Sequence, residues 1–425
     1  MIETLDPNQN YFICTPLLSE CARIQATAKI AIQQPEIIDD VQGHETKKEH
    51  LIQLLRERKS VVTTHAMFDQ LTDVANAGLL EGYNIIIDEV LSVVDDGYRV
   101  KEKTWEELYV GAGYVEIDPT SGLITPTAKW EADVEQIDDA LKRPIFNAAG
   151  AERLYHVNNG INLAVMPEAL LRAGKSLTVY TYKAKGSLML AYLNRLRMTP
   201  SHDKGSPKIE LDFLRDTRKL ITVRDIPSLS GLKLSYSGQT STAAKALNDK
   251  VSRALKSLRQ NALRDIPLEN ILITCPKEKW FYQGKAPIRN QEGVEQTKFL
   301  PGPYAKASRL APTGYNKRRA IWLPNTTRGT NDYRHCTHAI YLYDQYLNPN
   351  IHRWIGGNSI ISQDDYALTE LIQWVWRTQI RDKKPITLYL PSKRMRELFL
   401  SWLWEGDIPT EVKAQAKGKH RKAVP

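Results

Sequence analysis

The stretch Tyr-Asn-Ile-Ile-Ile-Asp-Glu-Val, residues 83–90, constrains this chain more than any other. Three consecutive isoleucines leave no polar face, so the segment suits a strand covered on both sides, as strands of parallel sheets are. It ends in two acids, Asp88 and Glu89. Short β-branched runs of the same kind recur as YFICT (11–15), SVVTT (60–64), LTVYTY (177–182), NILITC (270–275), RAIWLP (319–324), HAIYLY (338–343) and ITLYL (386–390). Helical patterns separate them. KKEHLIQLLRERK (47–59) places Leu51, Leu54 and Leu55 on one face, and HAMFDQLTDVANAG (65–78) closes on Gly78. Further helices are expected at 187–198 and near 241–264, 365–381 and 392–404. Strands alternating with helices predict an α/β fold with parallel sheets.

Punctuation along the chain suggests two lobes. The Pro-, Gly- and Ser-rich stretch at 199–208 reads as a linker between a first lobe (1–198) and a second (209–408), with a basic tail at 409–425. Residues 97–155 break the α/β rhythm. They contain a hairpin signal around Pro-Thr-Ser-Gly (119–122) and a polar helix, and read as an insertion in the first lobe.

The net charge of +9 and pI near 9.1 favour a polyanionic partner, nucleic acid being the commonest. The four cysteines, Cys14, Cys21, Cys275 and Cys336, form no CxxC pair and are too sparse for a disulfide framework, which points to a reducing cytoplasm. Cys336 lies between His335 and His338, but no second ligand cluster completes a zinc site there. The two histidines of HETKKEH (44–50) are six apart, on different helix faces. No apolar stretch is as long as a membrane span.

ALLRAGKS (169–176) fits the relaxed phosphate-loop pattern. A working loop follows a strand and opens a helix, so that the helix N-terminus meets the phosphates. Here a helix leads in and a strand leads out, so Gly174 reads as a helix end and Lys175 as a turn residue. Asp88 and Glu89 have the better context. They stand at the carboxyl end of a buried parallel strand, where an acid can hold Mg²⁺ and its neighbour can activate water. Gln373, Arg377 and Arg381 are spaced i, i+4, i+8 on an expected helix and can present guanidinium groups to a transferring phosphoryl group. The turn Thr327-Arg328-Gly329 follows an expected strand and offers hydroxyl, guanidinium and backbone N–H to a phosphate. Trp280, Phe281, Tyr282, Tyr304 and Tyr315 are interleaved with Lys and Arg, and can either stack on unpaired bases or pack a core.

Taken in order, these stretches resemble a superfamily-2 helicase of the DEAD/DEAH-like kind, and most of all the helicase-like proteins of bacteriophages and prophages. YFICTPLLSECARI resembles motif Ia, VVTTHAMFDQL motif Ib, NIIIDEV motif II, LTVYTYKAKGS motif III, NTTRGTNDY motif V and QWVWRTQIRD motif VI. The resemblance implies two RecA-like lobes, the first incomplete at its N-terminus and carrying the insertion. It implies ATP and Mg²⁺ as cofactors, held by Asp88 and Glu89, with Glu89 activating water. It places Thr15, Pro16, Thr64 and His65 along a nucleic-acid path, and Thr181 and Tyr182 between hydrolysis and binding. It sets Thr327, Arg328 and Gly329 against nucleic acid or nucleotide, and has Gln373, Arg377 and Arg381 face the nucleotide, Arg377 as the finger. The implied partners are single-stranded DNA and replication proteins in the cytoplasm of a bacterial host.

Two departures stand out. In motif VI, Trp376 replaces the usual Gly and the second Arg is one position late. Only MIETLDPNQN precedes the motif Ia strand, which is too short for the strand, Lys loop and helix of motif I. The expectation is therefore a helicase or translocase lacking its phosphate loop. A non-catalytic nucleic-acid-binding pseudo-helicase is the alternative. A packaging-type ATPase with a nuclease ranks last, because the second half shows Arg-bearing motifs rather than an acidic cluster.

Overall fold

A computed structural model describes residues 2–37, 46–137, 142–158, 160–201, 207–241, 244–327 and 329–405. Arg328, His44, part of the expected linker and the basic tail lie outside them. The chain divides into two compact units. The first is Met1–Pro200 with Asn348–Ser362, and the second is Ser201–Leu347 with Gln363–Pro425.

In the first unit, β1 (Asn10–Thr15), β2 (Ile32–Gln33), β3 (Ser60–Thr64) and β4 (Tyr83–Asp88) belong to a five-stranded sheet completed far downstream in sequence. Between β4 and that last strand the chain makes an excursion through β5 (Val94–Arg99), β6 (Val115–Ile117), β7 (Ile124–Pro126), β8 (Leu154–Asn158) and β9 (Ile161–Val165). It then returns as β10 (Ser176–Tyr180). The sheet runs β10-β4-β1-β3-β2 and every pair is parallel. Phe12 and Ile13 of β1 and Ile85 and Ile87 of β4 are fully buried, as the unbroken apolar runs require. The helix Lys47–Arg56 begins with a capping box. The Glu49 N–H donates to Thr46 Oγ1 (3.2 Å), and the Thr46 N–H donates to Glu49 Oε2 (2.8 Å). The helix then buries Leu51, Leu54 and Leu55.

The insertion is wider than the sequence suggests. β5 and β9 pair antiparallel, with β8 on the other side of β9, so the excursion starts and ends on paired strands at 94 and 165. Its own core contains Trp105, Tyr109, Tyr114, Trp130 and Leu154. The expected hairpin is present as β6–β7. Asp118 Oδ1 accepts from the N–H groups of Thr120 and Ser121, and Gly122 takes a φ of +78° that favours glycine. The single helix expected over 65–78 is two, His65–Phe68 and Thr72–Asn76. Asn348–Ser362 also packs on this unit. Trp354 on the helix Pro349–Ile355 meets the rings of Tyr155 and Tyr192 at 5.9 and 6.0 Å, and Arg195 lies 4.4 Å from its centroid.

The second unit holds β11 (Ile221–Arg224), β12 (Ile271–Thr274), β13 (Ile321–Trp322), β14 (His338–Tyr341) and β15 (Ile386–Tyr389). The order is β11-β15-β14-β12-β13, again all parallel. Helices Lys245–Gln260, Gln363–Val375 and Lys393–Leu403 accompany it. Val251 and Leu255 of the first of these helices pack with Ile271, Ile273 and Ile340 in one core. Both units are thus parallel α/β folds, as expected.

Candidate functional site

Parallel α/β sheets place ligand sites outside the carboxyl ends of their strands. In the first unit, the stretches read as motifs Ia, Ib, II and III all reach that edge. Thr15 and Pro16 end β1, Thr64 and His65 end β3, Asp88 and Glu89 end β4, and Thr181 and Tyr182 follow β10. A cavity of about 620 Å³ opens between the ends of β1 and β3, lined by Pro16, Leu17, Ser19, Lys47 and Thr64 among others.

Several of the side chains there are engaged within the fold. Thr15 is buried, and its hydroxyl donates to the Leu17 carbonyl (3.0 Å) and meets Cys21 Sγ at 3.2 Å, so it shapes the turn after β1. Thr64 Oγ1 accepts from the Met67 N–H (3.3 Å) and caps the helix that follows. His65 Nε2 donates to the Asp88 carbonyl (3.0 Å). Burial lowers the His65 pKa, opposed by the carbonyls of Asp88 and Cys14, so the ring is neutral near pH 7.

Glu89 adopts φ +65°, the left-handed region that a non-glycine residue enters at a cost of about 1–2 kcal/mol. Its N–H donates to the Tyr180 carbonyl (2.9 Å), which ties it to the end of β10. Among the described residues, no three of His, Cys, Asp and Glu converge as a metal cage. An Mg²⁺ ion that arrives with a nucleotide needs only one or two carboxylates, the rest coming from phosphate and water. Asp88 and Glu89 are two carboxylates adjacent in sequence at this edge.

Gly174 and Lys175 sit at the opposite edge. The Lys175 N–H donates to the carbonyl of Tyr83 at the start of β4 (2.8 Å), and its Nζ donates to Gln9 Oε1 (2.9 Å). A strand's length, roughly 15 Å, separates this turn from Asp88. The order strand, loop, helix occurs instead at 181–187, where β10 leads through Lys183, Lys185, Gly186 and Ser187 into the helix Leu188–Arg195. Sequence reading assigned that stretch to motif III alone. Its strand-to-helix order was the available signal.

In the second unit, Thr327 Oγ1 donates to the Pro324 carbonyl (2.8 Å) in a turn after β13, and Gly329 has φ +72°. Arg328, between them, lies outside the described residues. The helix bearing Gln373 stops at Val375, because the Thr378 hydroxyl and N–H both bond the Val375 carbonyl. The expected helix to 381 and its i, i+4, i+8 face therefore do not form. Arg377 is only 3% exposed and donates to the Thr330 carbonyl (3.3 Å) and Gln373 Oε1 (3.5 Å). Arg381 lies on a separate turn, Gln379–Asp382, and is exposed. A second cavity, of about 470 Å³, is lined by Lys233, Ser235, Ser237, Gly238, Ser241 and Lys250, none of which sequence reading selected. The Ser/Gly run SYSG followed by a basic helix was the signal.

All four cysteines are buried and free, and burial pushes the Cys336 thiol up to about 12. No described helix is long and apolar enough to cross a membrane.

Residues 215–403 match the family described as the YonV C-terminal Rossmann-like domain. That range takes in all five strands of the second unit. The SPbeta prophage-derived uncharacterized protein YonV of Bacillus subtilis (strain 168) is 22% identical over 428 residues, covering 95% of this chain and 94% of the relative. Among solved structures, a chain titled XPD_APO aligns with a TM-score of 0.48 and 11% identity, over 93% of this chain and 90% of its own. Likeness at that level carries no inference about function.

Proposed function

We propose that this chain is a nucleic-acid-binding protein of the helicase type, an ATP-dependent translocase that tracks single-stranded DNA. The observation that carries the reading is the convergence of Pro16, Thr64, His65, Asp88, Glu89, Thr181 and Tyr182 on the carboxyl edge of one parallel sheet. These residues come from segments as much as 166 positions apart in sequence, Pro16 to Tyr182, and nothing about core packing requires chemistry-bearing side chains at all four strand ends.

Asp88 would hold Mg²⁺ with the nucleotide phosphates, and the metal would neutralise charge developing on the transferred group. Glu89, held by the strained backbone and the Tyr180 carbonyl, would orient water at the same edge. Thr64, Pro16 and Lys47 line the cavity beside it, which suits a phosphodiester backbone. The net charge of +9 supports a polyanionic partner. Replication proteins are the proposed protein partners, and a bacterial cytoplasm the proposed setting.

One observation favours a second reading. The single Gly-Lys-Ser sequence lies at the wrong edge of the sheet, so among the described residues no glycine-rich Lys loop of the usual pattern faces Asp88. On this reading the chain binds nucleic acid without hydrolysis.

The deciding experiment measures ATP turnover with and without single-stranded DNA for the wild type and Glu89→Gln. DNA-stimulated turnover lost in the variant supports the translocase. DNA binding without turnover, unchanged in the variant, supports the second reading. Absence of any DNA binding rejects both.

A further inference from the structure

Between β12 and β13 the chain makes a long excursion, and residues 281–319 carry eight Lys and Arg against two Glu, an excess of six in a chain whose total is nine. The excursion is a small ribbon. Phe281 bridges Pro301, and Phe299 bridges Gly314, both antiparallel. The Tyr282 N–H donates to the Leu300 carbonyl (2.9 Å), and Phe299 and Gly314 exchange two main-chain bonds (3.1 and 3.3 Å).

This register sorts the aromatics that the sequence left ambiguous. Successive residues on such a ribbon point to opposite faces, and residues directly opposite one another share a face. Phe281 and Phe299 turn inward, their rings 5.7 Å apart, and join Trp280 and Tyr304 in the core. Tyr282 falls opposite Leu300, and Tyr315 falls opposite Lys298, all on the outward face. Tyr282 is 53% exposed, Leu300 42% and Tyr315 55%. Lys298 and Lys317 are exposed beside them, and the Lys317 stem lies over Gly314, where an added Cβ would come within 2.9 Å of it. The ribbon is braced from beneath. Glu295 accepts from Arg319 (2.5 Å), from Arg289 (3.1 Å) and from the Asn316 N–H (2.7 Å).

We propose that Tyr282 and Tyr315, with Lys298 and Lys317, form a stacking platform for the bases of single-stranded nucleic acid. Two exposed rings on a braced surface cost little entropy to engage, and every base has a face to offer them. The lysines match the backbone charge between stacked bases, and the outward strip made by these four residues and Leu300 contains no acid. A duplex keeps its bases stacked on each other, so the platform selects single strands.

The platform rests on the nucleic-acid-binding reading, and the experiment separates the two. The full chain is titrated against a labelled single-stranded oligonucleotide and a duplex of equal length, by fluorescence anisotropy, for the wild type, Tyr282→Ala, Tyr315→Ala and the Tyr→Phe versions. Each Ala variant is expected to weaken single-strand binding at least about fivefold, with duplex binding unchanged and Phe retaining wild-type affinity. Lys298→Ala with Lys317→Ala should lower the salt slope by about 1.4. A wild type that binds no single strand overturns the nucleic-acid reading and the platform with it. A wild type that binds, with both Ala variants at full affinity, overturns the platform alone. Phe variants as weak as Ala overturn stacking in favour of the hydroxyl groups. Both tyrosines are more than half exposed, and matching thermal melts confirm that the variants are folded.

Discussion

The imidazole of His65 donates a hydrogen bond to the main-chain carbonyl of Asp88 at 3.0 Å. His65 follows β3 and Asp88 ends β4, and these two strands flank β1 on opposite sides. The ring therefore spans the end of β1, next to the Cys14 carbonyl, and fixes the spacing of the edge on which the acids stand. Two strand spacings, about 10 Å, are bridged by one side chain.

That ring gives the first prediction. Because burial depresses its folded pKa below 6.5, the unfolded chain takes up the proton first as pH falls. The stability it contributes is present above pH 6.5 and is lost as pH drops from there toward the depressed value. Denaturant unfolding at pH 7.5 and 5.5 should show the loss, and His65→Gln should reduce it. His338, also depressed by burial, keeps part of the slope in that variant. An unchanged slope in His65→Gln rules out this role.

Backbone strain at Glu89 gives the second. Glu89→Gly and Glu89→Ala both delete the carboxylate, but only glycine relieves the left-handed φ of +65°. The Gly variant should be the more stable by about 1 kcal/mol in chemical denaturation. Equal stabilities would mean that the backbone relaxes elsewhere.

Arg377 and Arg381 should separate cleanly. Arg377→Ala strips a buried guanidinium from the Thr330 carbonyl and Gln373, and should cost about 2–3 kcal/mol. Arg381→Ala, on an exposed turn, should change stability by less than about 0.5 kcal/mol. If Arg381 is the phosphate-facing arginine, its loss lowers turnover at normal stability, and a steady-state assay with a melting curve reads both.

The Gly-Lys-Ser turn yields opposite expectations for neighbours. A Cβ at Gly174 would lie 2.7 Å from the Tyr83 carbonyl oxygen, so Gly174→Ala should destabilise by about 1–3 kcal/mol. Lys175→Ala should leave nucleotide binding unchanged, measured by calorimetry. Loss of nucleotide affinity in Lys175→Ala would reinstate the turn as a phosphate site.

Strands were the legible part of this fold. Runs such as SVVTT and NIIID are β-branched and buried at their centres, so their type and position follow from the residues alone. β2 has two residues and β11 alternates Ile-Thr-Val-Arg, too little signal to stand out. The helix at 365–381 was read too long because Trp376, Arg377 and Ile380 continue the apolar and basic pattern, while the Thr378 hydroxyl, which ends the helix, looks like any other polar residue. At the candidate site, sequence pattern located the strand ends but not the aim of the side chains. Thr15 turns inward to the nearby Leu17 carbonyl and Cys21, and Arg377 turns inward to the Thr330 carbonyl, which only the folded chain brings near.

The membership of Asn348–Ser362 in the first unit has a consequence for synthesis. A ribosome makes Tyr155, Tyr192 and Arg195 long before Trp354, which packs on all three. At about 5–20 residues per second, the intervening Ser201–Leu347 occupies roughly 7–30 s. For that interval the nascent first unit displays an uncovered aromatic patch, a natural landing place for a chaperone. An expression fragment that stops at Pro200 would carry the same bare patch permanently.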